Sequence, residues 1–346
     1  MAYITFQPKN YFNTLLYDGN GSTNARTGLG FEPDWIWIKN NTNDHDHYLF
    51  DQVRGATKYV RTNVGNAEGT ASGVTSFDSD GFTLGNSDGM NENGRAFVAW
   101  NWRASGSQGS SNTDGSINTT YTSVSTTSGF SISQYTGTGS NATVGHGLGV
   151  APEVVWIKRL TDASEGMYAY MKVIGAGNAL SLSENIASAA AAPLFNSTDP
   201  TSSVFSVGTH GATNASSKSY IAYSFAPKKG FSKFGLYKGN GSTWGVFVNC
   251  GFKPAFVLVK KSNDSDNWVI LDNKRDVSPN PRKLALFPNT SGAQAGDYLI
   301  DFLSNGFKIR STTGSLNNSS SGGTYIYMAF AEEPLVASNG TPATAG

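Results

Sequence analysis

The sequence has very few cysteines, few charges and no long apolar run. Cys250 is the only cysteine among 346 residues, which excludes an intramolecular disulfide and a zinc site built on cysteines. Within VFVNCGF it reads as a small buried residue. The 25 basic residues balance the 25 acidic ones, so we expect no nucleic-acid partner. Without a run of about twenty apolar residues, we expect no membrane insertion.

Sequence signatures of common catalytic sites are also missing. We find no G-x-S-x-G, no P-loop and no H-E-x-x-H, and the G-x-G patterns precede strands rather than helices. We therefore predict no enzyme, no catalytic residue and no cofactor. Glycoside hydrolysis needs only two carboxylates on separate strands, so a glycan-degrading enzyme stays open as a lesser alternative. Depolymerases are usually built on a long parallel β-helix with its own short repeat, and that repeat is absent.

Two polar stretches could hold a metal, but neither has suitable spacing. In the first, residues 43–47, His45 and His47 are two apart and would point opposite ways on a strand. The second, residues 77–94, departs from the spacing of a calcium-binding loop. Its acidic residues include Asp78, Asp80, Asp88 and Glu92. His146 lies in a glycine-rich loop whose other copies lack histidine, and we predict no metal site anywhere.

What the sequence does contain is a threefold internal repeat. The copies are YDGNGSTNARTGLGFEPDWIWIK (17–39), YTGTGSNATVGHGLGVAPEVVWIK (135–158) and YKGNGSTWGVFVNCGFKPAFVLVK (237–260). Each copy begins with tyrosine, passes a G-x-G-S element and has a proline six residues before a lysine. Each is followed by a closing apolar stretch, AFVAWNW, SYIAYSF or TYIYMAF. The chain therefore contains three related modules of about 100 residues.

Strand patterns predict the fold class. DWIWIK, EVVWIK and AFVLVK are apolar on both alternate faces, which indicates a central strand covered on two sides. Short strands separated by Gly, Asn, Asp and Ser turns are typical of antiparallel β-sandwiches. We predict an all-β protein of three tandem antiparallel β-sandwich-like modules. Trp37, Trp156 and Leu258 should occupy like environments.

The predicted organisation has five parts. They are module 1 with a short N-terminal segment (1–104), a polar linker or extended arm (105–128), module 2 (129–227), module 3 (228–335) and a C-terminal tail (336–346). Segment 105–128 is almost free of charge and large apolar residues, so it is either a disordered tether or an arm that contacts another module or subunit. Tyr121 and Val124 favour a partly ordered arm. Modules 2 and 3 should pack closely, with module 1 apart.

The repeat resembles the repeated module of virion proteins in tailed bacteriophages, notably phages of cyanobacteria and other aquatic bacteria. The resemblance is carried by the segments quoted above, by NYFNTLLYDGNGST and HYLFDQVRG, and above all by YTGTGSNATVGHGLGVAP. The resemblance runs from about Phe6 to Glu333. It implies a non-enzymatic structural protein made in the host cytoplasm and assembled into the virion. A tail-fibre or baseplate-attached protein that contributes to host recognition is the first reading, and a capsid decoration or head-fibre protein is the alternative.

Partners are expected to be other virion proteins, further copies of the chain in a homotrimer, and a host-surface glycan as a further candidate. Aromatic side chains can bind sugars by stacking on their rings. Residues of this type include Trp35, Trp102, Tyr168 and Trp268. Most of them are expected in the core, so the sequence leaves the glycan-contact residues unassigned.

Overall fold

A computed structural model describes residues 6–162, 165–276, 279–318 and 322–334. Of these residues, 40% lie in strands and 7% in helices, and the paired strands of the sheets are antiparallel. No sheet of these residues closes into a barrel. The predicted all-β, sandwich-like fold class is confirmed, whereas the tail predicted at 336–346 lies outside the described residues.

Module 1 consists of a main sheet and a minor sheet. Its elements are a 3₁₀ turn at Pro8–Asn10, β1 (Phe12–Asp18), β2 (Asn24–Thr27), β3 (Trp35–Asn40), β4 (Tyr48–Asp51), β5 (Lys58–Arg61), β6 (Gly69–Thr70), β7 (Val74–Asp78), β8 (Gly81–Leu84), α1 (Asp88–Asn91) and β9 (Ala96–Trp102). The main sheet has the order β1-β9-β3-β4-β5-β6, and the minor sheet has the order β2-β8-β7.

Module 2 repeats this plan. Its elements are β10 (Tyr121–Ser125), β11 (Phe130–Thr136), β12 (Ala142–Gly145), β13 (Val154–Arg159), β14 (Tyr168–Met171), a 3₁₀ turn at Lys172–Ile174, β15 (Asn178–Ser181), β16 (Ala189–Ala190), α2 (Ala192–Phe195), β17 (Val204–Val207), α3 (Gly211–Asn214) and β18 (Ser219–Phe225). The main sheet has the order β10-β11-β18-β13-β14-β15-β16, and β12 pairs with β17.

Module 3 has the same arrangement with fewer strands. Its elements are β19 (Ser232–Lys238), β20 (Phe247–Asn249), β21 (Phe256–Lys261), β22 (Val269–Asp272), β23 (Ile300–Leu303), β24 (Gly306–Ile309), α4 (Gly314–Asn317) and β25 (Thr324–Phe330). The sheet orders are β19-β25-β21-β22 and β20-β24-β23. All three modules thus place the closing strand between the strand that carries the first tyrosine of the repeat and the central strand: β9 lies between β1 and β3, β18 between β11 and β13, and β25 between β19 and β21. In module 2, β10 from segment 105–128 adds an edge strand beyond β11.

The central strands are covered on both faces, as the sequence predicts. Every residue of β3 is buried. Ile36 and Ile38 pack in a core that belongs to module 1, whereas Trp35 and Trp37, on the opposite face, belong to a larger cluster. Modules 2 and 3 also have a core of their own. Each main sheet therefore separates a module core from a common core.

The common core joins all three modules. Trp37, Trp156 and Leu258 are all buried in it, and the rings of Trp37 and Trp156 are 6.0 Å apart. The ring centre of Trp102 also lies 5.5 Å from that of Phe330 in module 3. The expectation that module 1 stands apart is therefore wrong. Its main sheet has a second apolar face, and burying that face against the other modules removes it from water.

Segment 105–128 is ordered and lies between modules 1 and 2. Its residues 121–125 form β10, an edge strand that pairs with β11. Gly106 N donates a hydrogen bond of 3.0 Å to the carboxylate of Asp34, and Ser123 Oγ donates one of 3.1 Å to the same group. Gln108 Nε2 donates to the carbonyl of Val53 at 2.8 Å. The segment is therefore an intermodule contact in this structure.

Candidate functional site

The three modules meet at equivalent junctions that form a ring. At each junction, a backbone amide donates to the carbonyl that lies two residues after the lysine of the neighbouring central strand. The pairs are Glu68 to Leu160 at 2.9 Å, Ser188 to Ser262 at 2.8 Å and Gln294 to Asn41 at 3.0 Å. Module 1 donates to module 2, module 2 to module 3, and module 3 back to module 1. The head-to-tail contact therefore closes within one chain, as heterologous contacts do in cyclic oligomers.

The repeated lysines belong to these junctions. Lys39, Lys158 and Lys260 are all buried. Lys158 Nζ donates to the carbonyls of Val64 and Glu165 at 2.7 and 2.8 Å, and the first of these belongs to module 1. Burial is the main influence on the pKa of each lysine and lowers it to about 8. Lys260 Nζ likewise donates across a junction, to the carbonyl of Asn185 in module 2 at 3.2 Å. Lys39 Nζ instead donates within module 1, to the carbonyls of Asn40 and Asn43.

Two junctions also contain a buried ion pair. Arg54 Nε lies 2.6 Å from Asp51 Oδ2, and the hydroxyl of Tyr223 from module 2 donates to that oxygen at 2.8 Å. The same arrangement recurs with module 3. There, Arg275 Nε lies 2.6 Å from Asp272 Oδ2, which accepts from Trp100 Nε1 at 3.2 Å. In both cases the closing strand of a neighbouring module supplies a donor to the buried carboxylate.

The third junction replaces these polar groups with apolar ones. Met171 pairs with the first residue of its central strand, as Asp51 and Asp272 do. Ile174 follows three residues later, and Met328 occupies the position of Tyr223 on its closing strand. At this junction the carboxylate, the arginine and the donor are therefore all replaced by apolar side chains, so none of the three positions holds an unpaired buried charge.

The G-x-G-S element is fixed by a buried asparagine. Asn91 Nδ2 donates to the carbonyls of Ser22 and Gly85, both at 2.6 Å, and its Oδ1 accepts from Asn20 N at 3.1 Å. Asn214 and Asn317 hold the equivalent turns. A Cβ at Gly19 would collide with the carbonyl of Glu92, so glycine is required there. The motif is structural.

The tyrosine before each G-x-G-S element donates a hydrogen bond to a short helix of its own module, α1, α3 or α4. Tyr17, Tyr135 and Tyr237 donate their hydroxyls to the carbonyls of Met90, Thr213 and Leu316 at 2.7, 2.6 and 2.7 Å. These contacts explain why tyrosine opens every copy. Sequence reasoning missed the asparagines, although an asparagine precedes each closing strand by five to seven residues.

The aromatic residues considered for sugar binding are mostly in the core. Trp35, Trp102 and Trp268 are buried, so their rings are not free for a ligand. Tyr168 is half-buried and lines a cleft of about 190 Å³ with Asn63 of module 1. The prediction that most of these residues pack in the core is confirmed.

The two histidines considered for a metal site lie in different surroundings. His47 is buried, accepts from Trp37 Nε1 at 3.0 Å, and has a pKa held well below its usual value by burial. His45 lies at the surface with its Nε2 3.4 Å from a carboxylate oxygen of Glu92. His146 is buried and accepts from Leu148 N at 3.1 Å.

The acidic stretch 77–94 contains the turn between β7 and β8, the strand β8 and the helix α1, and two of its carboxylates hold neighbouring groups. Asp80 accepts from Gly28 N and Gly30 N at 3.0 and 2.6 Å, and Asp78 accepts from the hydroxyl of Thr83 at 2.8 Å. Within the described part of the chain, no group of three His, Cys, Asp or Glu could hold a metal ion. Cys250 is buried, and burial raises the pKa of its thiol to about 12.

One exposed aromatic was missed by sequence reasoning. Trp244 is 73% exposed, and its ring centre lies 4.8 Å from Lys308 Nζ and 5.2 Å from the Arg310 guanidinium carbon. Phe247, which pairs with Lys308 across the minor sheet, is also exposed. The available signal was that only the third copy carries a tryptophan just after G-x-G-S.

Comparisons with known proteins give a family. A family model described as a domain of unknown function (DUF7483) matches residues 7–334, which span all three modules. No curated protein and no solved structure matches the chain. Among the described residues, every helix is too short or too polar to cross a membrane.

Proposed function

We propose that this chain, which belongs to the DUF7483 family, is a non-enzymatic structural component of a tailed-bacteriophage particle. The observation that carries the proposal is the closed ring of three modules around one core. Such a ring buries both faces of the central strands and holds the surface loops in fixed orientations. A particle protein needs this combination of stability and presented loops. The sequence resemblance to virion proteins supports the same function.

We place the protein on the tail, as a tail-fibre or baseplate-attached protein that contributes to host recognition. The outer faces of the three minor sheets differ, and only module 3 carries the exposed Trp244 with two cations. A binding feature that only one of the three modules displays suits the capture of a ligand. Capsid decoration is the second candidate, and the pseudo-threefold ring favours it because the ring would match a threefold position of a shell.

Partners follow from the same ring. We expect other virion proteins and further copies of the chain, with a homotrimer as the predicted assembly. Because the head-to-tail contacts close inside one chain, copies would have to meet through outer faces. Segment 105–128 binds Asp34 and Val53 within the chain, so it is not the surface we propose for that contact. Light scattering at micromolar concentration would give the mass of three chains if the trimer forms, and the mass of one chain would contradict it.

Particle imaging tests the proposed function. Phage particles would be purified from a producing host, analysed by mass spectrometry and labelled with antibodies raised against the purified protein. The proposal predicts that the protein is present and that label is at the tail tip or baseplate. Label over the head would support the decoration candidate instead. Particles that lack the protein would overturn both.

A further inference from the structure

We infer that the outer face of the minor sheet of module 3 binds an acidic saccharide. The sugar ring would stack on Trp244, and its carboxylate or sulfate would pair with Lys308 and Arg310. The biological meaning of this site rests on the proposed recognition role, whereas its chemistry rests only on the residues of module 3.

Trp244 is displayed by an insertion found only in module 3. In modules 1 and 2, the serine of G-x-G-S lies two residues before the residue at the end of the minor sheet, at Asn24 and Ala142. In module 3, Ser242 lies four residues before the equivalent Val246, whose carbonyl accepts from Ile309 N. The two extra residues carry the tryptophan away from the sheet. An insertion in one of three equivalent loops is therefore what exposes the ring.

The sheet beneath the ring is also specialised. Phe247 pairs with Lys308 across the two strands, and Arg310 follows Lys308 by two residues. The equivalent residues are Ala25, Thr83 and Gly85 in module 1, and Thr143, Ser206 and Gly208 in module 2. Small or uncharged residues at these positions are therefore sufficient to build the sheet. The aromatic and the two cations in module 3 are additions that the fold itself does not need.

The side chain of Trp244 is largely open to solvent. Lys308 and Arg310 are two residues apart along one strand direction, so both point to the same side of the sheet. The ring of Trp244 lies over these two cations, at 4.8 and 5.2 Å from its centre. Since 73% of the residue is exposed, the ring offers a flat apolar surface next to positive charge. A sugar ring with an acidic substituent is complementary to both features.

The local charge fits one acidic group. Arg310 Nη1 lies 3.0 Å from a carboxylate oxygen of Asp301, so two cations and one carboxylate leave one positive charge. A nucleic-acid strand would need several cations along a groove that follows its backbone. The chain as a whole has no net charge. One platform and one net charge therefore favour a monoanionic sugar over a nucleic acid.

Binding of defined oligosaccharides to the purified protein tests this inference. The probes are oligogalacturonate and chondroitin sulfate as acidic saccharides, dextran as a neutral saccharide and a ten-residue oligothymidylate as nucleic acid. The wild type should bind at least one acidic probe more tightly than dextran or oligothymidylate. Trp244→Ala should weaken that binding at least tenfold. Lys308→Ser introduces the residue that module 2 has at the equivalent position, and it should weaken binding and also make the affinity less dependent on salt concentration.

A matched control and melting curves separate binding from folding. Ile186→Ala removes another exposed apolar side chain, which is 43% exposed on module 2, and should leave binding unchanged. Trp244→Ala should keep the melting temperature of the wild type because the ring is exposed. Failure of both acidic probes to bind, or unchanged affinity in Trp244→Ala, would overturn the inference. Tighter binding of oligothymidylate would assign the face to nucleic acid instead. None of these outcomes depends on where antibodies label the particle.

Discussion

At the scale of single residues, buried polar groups decide how the repeated segments fit together. Asp34 is completely buried and accepts from Ala104 N at 2.7 Å, Gly106 N at 3.0 Å and Ser123 Oγ at 3.1 Å. Burial is the largest influence on its pKa and raises it to about 6, although the hydrogen bonds act in the opposite direction. This carboxylate therefore organises segment 105–128 at a cost in stability above that pH.

We predict a pH dependence from Asp34. Its folded pKa is above the ordinary 3.8, so between about pH 4 and pH 6 the folded state binds more protons than the unfolded state, and stability falls as pH rises. Asp34→Ala lacks this group, and module 3 has Ala255 at the same position. The difference in unfolding free energy, wild type minus variant, should fall by about 1 to 3 kcal/mol over that window. Urea denaturation at pH 4, 5 and 6 measures it, and a constant or rising difference would contradict the assignment.

The asparagines behind the G-x-G-S turns give a second prediction. Asn214→Ala removes donors to the carbonyls of Ser140 and Gly208 and the acceptor for Thr138 N. Because these backbone groups lose their partner, we expect a loss of about 2 to 4 kcal/mol in unfolding free energy. Asn141→Ala, at an exposed position in the same loop, should cost less than about 0.5 kcal/mol. Equal losses in chemical denaturation would show that the turn does not depend on the buried amide.

Buried tryptophans and buried asparagines differ in how far the sequence predicts their roles. The burial of Trp37 and Trp156 follows from alternation within one strand. The role of Asn214 does not, because its partners lie up to 76 residues away, and a polar residue near glycines reads equally well as an exposed loop. Trp244 was missed because exposure depends on where an inserted loop points.

At the scale of the elements, each main sheet has two apolar faces and two different partners. The pattern of WIWIK predicts both faces of β3, and the structure confirms that they are covered. The partner of the second face could not be predicted, because it comes from the other modules. Segment 105–128 was ambiguous for a similar reason. Its order depends on Asp34 and on β11, and neither dependence is visible in its own composition.

The ion pairs at the junctions give a prediction at this scale. Asp272→Met leaves Arg275 buried without its carboxylate, so we expect a loss of about 3 to 5 kcal/mol in unfolding free energy. The double variant Asp272→Met/Arg275→Ile copies Met171 and Ile174 of the third junction and should lose less than the single variant. Urea denaturation of both variants checks this. A double variant that is less stable than the single one would mean that the charges act independently.

At the scale of the whole molecule, three repeats form one closed ring. The hydrogen bonds Glu68 to Leu160, Ser188 to Ser262 and Gln294 to Asn41 link the modules in one direction, and the common core takes residues from all three. The repeat and the fold class could be predicted from the sequence. The arrangement could not, since a polar 105–128 segment suggested a detached module 1, whereas the second apolar faces required all three modules to meet.

The closed ring has a direct consequence for unfolding. Opening one module exposes the common core of the other two, so the modules should lose their structure together. Differential scanning calorimetry of the full chain measures this. Three modules that share one core should give a single transition whose calorimetric enthalpy equals its van't Hoff enthalpy. Two or three resolved transitions, with a calorimetric enthalpy well above the van't Hoff value, would contradict it.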